Sequence, residues 1–256
     1  MRVLALHRDV IVFISRVWQT TCTAVRAGGE GFVIDSPVYP DELEALPGVL
    51  AQAAYEVSGL LNTHADWDHL LARLAFPDAA LGCSEAAAAR LAAEPGDAQR
   101  RLRRFDEDHY VAGRPALGLS APQALPVPGK LSLGDEHELE LHLAPGHTSD
   151  GMAILIPWTG VLVAGDYLSP VEIPMISESG SVAAYRSTLA HLRGLLDRAE
   201  TVVPGHGAPV GRARALEILA EDLAYLEALP DAELPPGRRT AAQQRIHAEN
   251  LSRAAR

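Results

Sequence analysis

Residues 64–69 read His64-Ala65-Asp66-Trp67-Asp68-His69, which puts two imidazoles and two carboxylates into six positions. They follow an apolar run through Val57, Leu60 and Leu61 that predicts a buried strand over residues 56–62. A chain that ends a buried strand in so many ionisable groups must give them partners, because unpaired polar groups are costly once removed from water. Two solutions are open at this point. The aspartates can cap a helix beginning near His69, or the side chains can converge on a divalent cation, which takes nitrogen and oxygen donors from a loop leaving a strand.

Three later segments repeat the arrangement: Ala144-Pro145-Gly146-His147-Thr148, Ala164-Gly165-Asp166, and Val202-Val203-Pro204-Gly205-His206-Gly207. Each places a histidine or aspartate after an apolar run, in a turn that contains glycine, where a sheet edge presents side chains to a shared site. One such turn alone is an ordinary solvated loop. Their recurrence, in this order, points to one constellation.

Around these segments the pattern predicts strands over residues 10–14, 17–25 and 31–34, with Gly28-Gly29 as a hairpin turn. A short helix over 41–50 is expected to break at Pro47. Residues 84–125 begin alanine-rich, continue through Arg100-Arg101-Leu102-Arg103-Arg104 and end rich in proline and glycine, which reads as a helical excursion over the surface. Strands resume over 130–133, 138–143, 153–156 and 161–164. Val182, Tyr185, Leu189, Leu192 and Leu196, then Leu216, Leu219, Leu223 and Leu226, recur at helical spacing, so two helices should each lay an apolar stripe on a sheet. Alternating blocks of strand and helix predict a layered α/β sandwich.

In their order and spacing the four motifs resemble the metallo-β-lactamase superfamily, whose pattern is His-x-His-x-Asp-His, then Gly-His, Gly-Asp and Gly-His. The resemblance runs from about Asp35 to about Gly207. It implies a four-layer αββα sandwich in one domain over 1–256, with the 84–125 excursion as a helical insertion and C-terminal helices over about 210–256. It also implies a ligand set. His64 and His147 would bind one divalent ion, Asp68, His69 and His206 a second, and Asp166 would bridge them, with zinc expected first and manganese or iron as alternatives. Asp66 departs from the pattern by standing where the family's second histidine stands. As a ligand it would join His64 and His147; otherwise it points to solvent or supports a ligand from outside. A third coordinating carboxylate would lower the net charge of the centre by one relative to histidine and shift its relative preference from zinc toward manganese or iron.

The mechanism implied by the resemblance is hydrolysis by a metal-bound hydroxide. Asp68 would orient the water and take its proton, and Tyr167, beside Asp166, is a candidate donor to the leaving group, although its ring can equally serve packing alone. The resemblance narrows the substrate to a small-molecule ester, thioester, lactone or phosphodiester. Leu70-Leu71-Ala72 after the first motif is unlike the small glycine-rich continuation of glyoxalase-like thioesterases. Two further readings share the fold: a protein that binds metal or a small ligand without useful turnover, and an iron-dependent oxidative member.

Composition removes several classes. With 22 basic and 33 acidic residues the net charge is −11, which disfavours a phosphate backbone as partner. Cys22 and Cys83 have no CxxC spacing, which fits a reducing compartment. The apolar run over 10–14 is bracketed by Asp9 and Arg16, too tightly for a signal-peptide core, and no stretch approaches the ~20 apolar residues of a membrane span. The expectation is a cytoplasmic protein with a small-molecule substrate and neither nucleic acid nor membrane as partner.

Overall fold

The computed structural model describes residues 1–119 and 121–254. Its first sheet has the order β1 (Arg2–His7), β2 (Val10–Ile14), β3 (Thr21–Ala27), β4 (Glu30–Asp35), β5 (Gly59–Leu61), β6 (Ala80–Ser84) and β7 (Gln123–Leu125). Strands β1 to β4 pair antiparallel, and β4 to β7 pair parallel. The second sheet contains β8 (Gly129–Leu133), β9 (His137–Leu143), β10 (Met152–Ile156), β11 (Val161–Gly165), β12 (Thr201–Pro204) and β13 (Val210–Gly211), in simple sequential order. Only the β11–β12 pairing in it is parallel.

The unbroken apolar runs of the central strands follow from burial on both faces. In β2, Val10, Val12 and Ile14 meet Leu139, Leu141, Ile154 and Ile156 of the second sheet, while Ile11 and Phe13 point the opposite way into a core with helices. That outer core receives Leu43, Leu46 and Leu50 from α1 (Pro40–Gln52), and Leu102 and Phe105 from the helix over Asp97–Asp108. On the far side, Tyr185, Leu189, Leu192 and Leu196 from the helix over Val182–Leu196 pack on Ala153, Leu155, Leu162 and Val202. Helix, sheet, sheet and helix therefore form four layers, the αββα sandwich expected. Between α1 and the Asp97–Asp108 helix lie α2 (Ala72–Ala75) and α3 (Glu85–Ala93), which makes the latter α4. After α5 (Val182–Leu196) come α6 (Arg212–Ala228) and α7 (Ala241–Ala254). No helix among the described residues is long and apolar enough to cross a membrane.

Three local expectations need correction. Pro47 does not break α1, because Leu43, Leu46 and Leu50 continue one buried stripe past it and packing outweighs the lost backbone bond. The strand expected from residue 17 begins at Thr21. Before it, Ser15 N–H donates to Thr20 O and Thr20 N–H to Val17 O, closing a turn in which Trp18 and Gln19 take positive φ of 50° and 53°. Strands β1, β6 and β7 were not expected either; β1 is an edge strand that leaves Val3 and Ala5 exposed, and β7 is three residues inside a proline-rich stretch.

A buried cation ties the C-terminal helices to the rest. Arg238, 1% exposed, donates to Asp222 Oδ1 at 2.6 Å, Glu221 Oε2 at 3.0 Å and the Glu172 carbonyl at 2.8 Å. Burial pushes the Asp222 carboxyl up to about 7, against the pull of Arg238. Replacing Arg238 with methionine strands that carboxylate, and breaking a buried pair in this way costs about 3–5 kcal/mol. Urea unfolding of Arg238→Met should show a loss of that order at pH 8 and a smaller one at pH 6, where Asp222 takes a proton. A loss under about 1 kcal/mol, the range of an exposed pair, would refute the role.

Candidate metal centre

The strand ends of both sheets meet at one edge. The chain leaves β5 into residues 62–66 and a 3-10 turn over Trp67–His69, and it leaves β9, β11 and β12 into the loops that carry His147, Asp166 and His206. Backbone bonds stitch the sheets together there: Met152 N–H to Thr63 O at 2.7 Å, Thr21 N–H to Gly205 O at 2.8 Å, and Gly207 N–H to Gln19 O at 2.9 Å. A Cβ at Gly205 would collide with Asp166 Oδ1 and press on His69 Cε1, so only glycine admits this approach.

All seven candidate ligands converge. Asp166 Oδ2 lies 3.2 Å from His147 Nε2, 3.5 Å from His206 Nε2 and 3.7 Å from His64 Nε2, and its Oδ1 lies 3.3 Å from His69 Nε2. Asp66 Oδ2 sits 3.4 Å from His147 Nε2 and 3.8 Å from His64 Nε2. Asp68 Oδ2 sits 3.7 Å from His69 Nε2 and 3.6 Å from His206 Nε2. The donors fall into triads that could each hold a cation: His64 with Asp66 and His147, Asp68 with His69 and His206, and Asp166 with His64 and His69 between them. His64 Nε2, His69 Nε2, His147 Nε2 and Asp166 Oδ1 are buried without a hydrogen-bond partner, so the residues present fit a divalent metal. Asp66 is not the helix cap that was one open alternative, since its side chain makes no capping hydrogen bond.

Every imidazole turns its other nitrogen to the protein. Nδ1 meets Thr63 Oγ1 at 3.1 Å for His64, Asp35 Oδ2 at 3.1 Å for His69, the Met175 carbonyl at 2.9 Å for His147 and Thr20 Oγ1 at 3.3 Å for His206. Asp35 was not singled out from sequence, although it is an aspartate at the end of an apolar strand, as Asp166 is. Held at φ 59°, it also accepts from Thr63 N and Oγ1 at 2.7 and 2.9 Å. Also missed were Arg90, which donates to Asp66 Oδ1 at 2.7 Å, and Asp150, which accepts from Arg90 at 3.1 Å. Arg90 is the cation of an otherwise alanine-rich helix, and that contrast was the available signal.

Tyr167 needs correction as a candidate proton donor. It is 3% exposed, its hydroxyl donates to Ala144 O at 3.1 Å and accepts from His147 N–H at 3.0 Å, and burial pushes its pKa far up. Its place is to hold the His147 loop. Trp18 was not singled out at all; 46% exposed, it stands edge-on to His206, Trp67 and Phe105.

Electrostatics divide the histidines. Burial and the neighbouring His69 lower the pKa of His64. Burial also opposes charge on His147 and His206, but Asp166 with Asp66 lifts the first to about 9, and Glu172 with Asp166 lifts the second to about 10. Burial works against Asp66 as a carboxylate, yet His147, His64 and Arg90 hold it far below the usual range.

The family model described as the metallo-beta-lactamase superfamily matches residues 15–238. Among solved structures, the chain is similar to a metallo-beta-lactamase family protein from Thermus thermophilus at TM-score 0.70 and 23% identity, covering 98% of this chain and 95% of that one. A double mutant of the sec-alkyl sulfatase PisA1 aligns at TM-score 0.69 and 16% identity over 90% of this chain and 42% of that one. The DIM-1 metallo-beta-lactamase exposed to ceftazidime aligns at 0.63 and 16%, over 89% and 96%. No curated protein sequence matches the chain.

Because neighbouring carboxylates lift His147 to about 9 and His206 to about 10, protonated rings are favoured at pH 7 without metal, and a metal takes only the neutral ring. Zinc uptake at pH 7 should therefore release protons. Its affinity should rise from pH 7 to 9 by about tenfold per unit for each proton displaced. Calorimetry in buffers of differing ionisation heat measures both, and a pH-independent affinity without proton release would contradict this reading.

Proposed function

The chain belongs to the metallo-beta-lactamase superfamily, and on that premise we propose that it is a metal-dependent hydrolase of a small-molecule ester, thioester, lactone or phosphodiester. The observation that carries the reading is the set of buried, unpartnered nitrogens and oxygen on His64, His69, His147 and Asp166, all aimed at one space. Divalent ions held there would polarise a carbonyl or phosphoryl oxygen and activate water.

The chain's own residues supply position and proton handling. His64, Asp66 and His147 would hold one ion, Asp68, His69 and His206 the other, with Asp166 shared. Asp68 has its main chain fixed by Ser36, whose hydroxyl donates to the Asp68 carbonyl at 2.7 Å, so its carboxylate is presented to the site at a set angle and can take a proton from water there. Trp18, exposed and edge-on to His206, would offer a bound substrate an apolar surface. Net charge −11 supports a small substrate over nucleic acid. Asp66, a hard oxygen donor, keeps manganese and iron beside zinc as occupants, and with iron the oxidative reading.

The test is metal content of the purified protein, followed by rates on generic substrates of the four bond types with zinc, manganese or iron restored. About two ions per chain and turnover that a chelator abolishes are expected, with Asp68→Ala losing about 10²–10⁴-fold, the span of general acid–base contributions, and Asp66→Ala losing less. Metal bound without turnover on any substrate would favour the non-catalytic binding reading, and about one iron per chain with oxygen consumption would favour the oxidative one.

A further inference from the structure

Asp66 stands among imidazoles, and its two oxygens divide their work as the two nitrogens of each imidazole do. Oδ2 faces His147 and His64, while Oδ1 is turned to the protein, 2.7 Å from Arg90 Nη2. Arg90 is set on α3, whose start is fixed by Ser84 Oγ accepting from Ala87 N–H at 3.0 Å. Its other arm reaches Asp150 Oδ1 at 3.1 Å. Asp150, with a side chain 1% exposed, accepts from Ala65 N–H through Oδ2 at 2.8 Å, and its carbonyl accepts from Ser84 Oγ at 2.8 Å. One guanidinium thus spans two carboxylates, one facing the candidate centre and one anchored to the loop that carries Asp66. Arg101 also approaches Asp66 Oδ1, at 4.0 Å, but its side chain is 53% exposed and occupied with Asp97.

We infer that Arg90 is the positioning residue that makes Asp66 a one-oxygen, histidine-like ligand with its charge partly offset; this rests on the metal-centre reading above. A neutral imidazole brings one donor atom and no charge. The Asp66–Arg90 pair approaches this: one oxygen is left for the cation, the other is tied back, and the carboxylate charge is partly offset by a guanidinium that Asp66 shares with Asp150. Part of the charge lost by exchanging histidine for aspartate at this position is thereby returned from α3. Arginine suits the task because its planar fork meets both carboxylates at once, which a lysine ammonium on a flexible stem does not. The pair predicts dependence in both directions, since Arg90 supports metal binding only while residue 66 is an aspartate.

The experiment is a double-mutant cycle read as zinc dissociation constants from chelator competition, with thermal melts of the metal-free proteins as a check on folding. Arg90→Gln should weaken zinc binding by about 10–100-fold, as loss of a partner behind a metal ligand does. Asp66→His alone should weaken it as well, because the guanidinium arm that held Asp66 Oδ1 then faces the site with no partner there, Asp150 holding only the other arm. Adding Arg90→Gln to Asp66→His should tighten binding again, to within about tenfold of the natural protein. The opposite sign of the Arg90→Gln effect in the two backgrounds is the signature, and a residue that only supports the fold would not produce it. Should Arg90→Gln melt too low to measure, Arg90→Lys carries the test: it keeps the charge, loses the fork and should still bind several-fold more weakly. Equal effects of Arg90→Gln in both backgrounds, or unweakened binding in Arg90→Lys, would overturn the inference. A natural protein that binds no divalent metal would instead overturn the metal-centre reading, and the inference with it.

Discussion

The Asp166 carboxylate lies within 4 Å of a ring nitrogen from each of four buried histidines, and the arrangement of both sheets answers to that meeting. Buried polar atoms without partners are unfavourable, so such a cluster persists only where the surrounding structure over-determines it. Here the constraint comes from strands covered on both faces. Their apolar cores fix the strands, and the strand ends then have little freedom in where they deliver His64, His147, Asp166 and His206. The hydrogen bonds between the sheets at this edge, and the absence of a Cβ at Gly205, let backbone and donor atoms come closer than ordinary packing allows.

Around the imidazoles runs a ring of oxygen atoms that sets the orientation of each ring. Thr63, the Met175 carbonyl and Thr20 each hold one Nδ1 at hydrogen-bond distance and Asp35 stands in ion-pair contact with that of His69, leaving Nε2 directed at the centre. Asp35 does so at a positive φ that an L-residue adopts at some cost, which its bonds to Thr63 offset. Asp66 has the same kind of arrangement, with Arg90 on the oxygen that is turned away from the imidazoles.

Much of this was legible in the chain. The histidines and aspartates that end apolar runs were visible because a strand end leaves a local signature, apolar residues followed by glycine and a polar side chain. The layered sandwich followed from the helical stripes over Tyr185 to Leu196 and the runs between strand turns. Partners supplied from another part of the chain were not legible. Arg90 lies 24 residues beyond Asp66, on a helix whose local pattern says only that it is alanine-rich. Tyr167 misled for the related reason that adjacency to Asp166 in sequence says nothing about which way a hydroxyl turns; its oxygen is held by Ala144 and His147 instead. Pro47 misled because a local rule about helix interiors yields to three buried leucines on the same stripe.

The central claim is that the chain's seven convergent side chains form a two-ion centre in which Asp66 is itself a ligand. Anomalous diffraction at the zinc absorption edge from zinc-loaded crystals tests it directly. Two peaks are predicted, one bonded to His64, Asp66 and His147 and one to Asp68, His69 and His206, with Asp166 reaching both, at nitrogen and oxygen distances of ~2.0–2.2 Å. A map with no peak among these residues, or with peaks from which both Asp66 oxygens stand clear, would contradict the account.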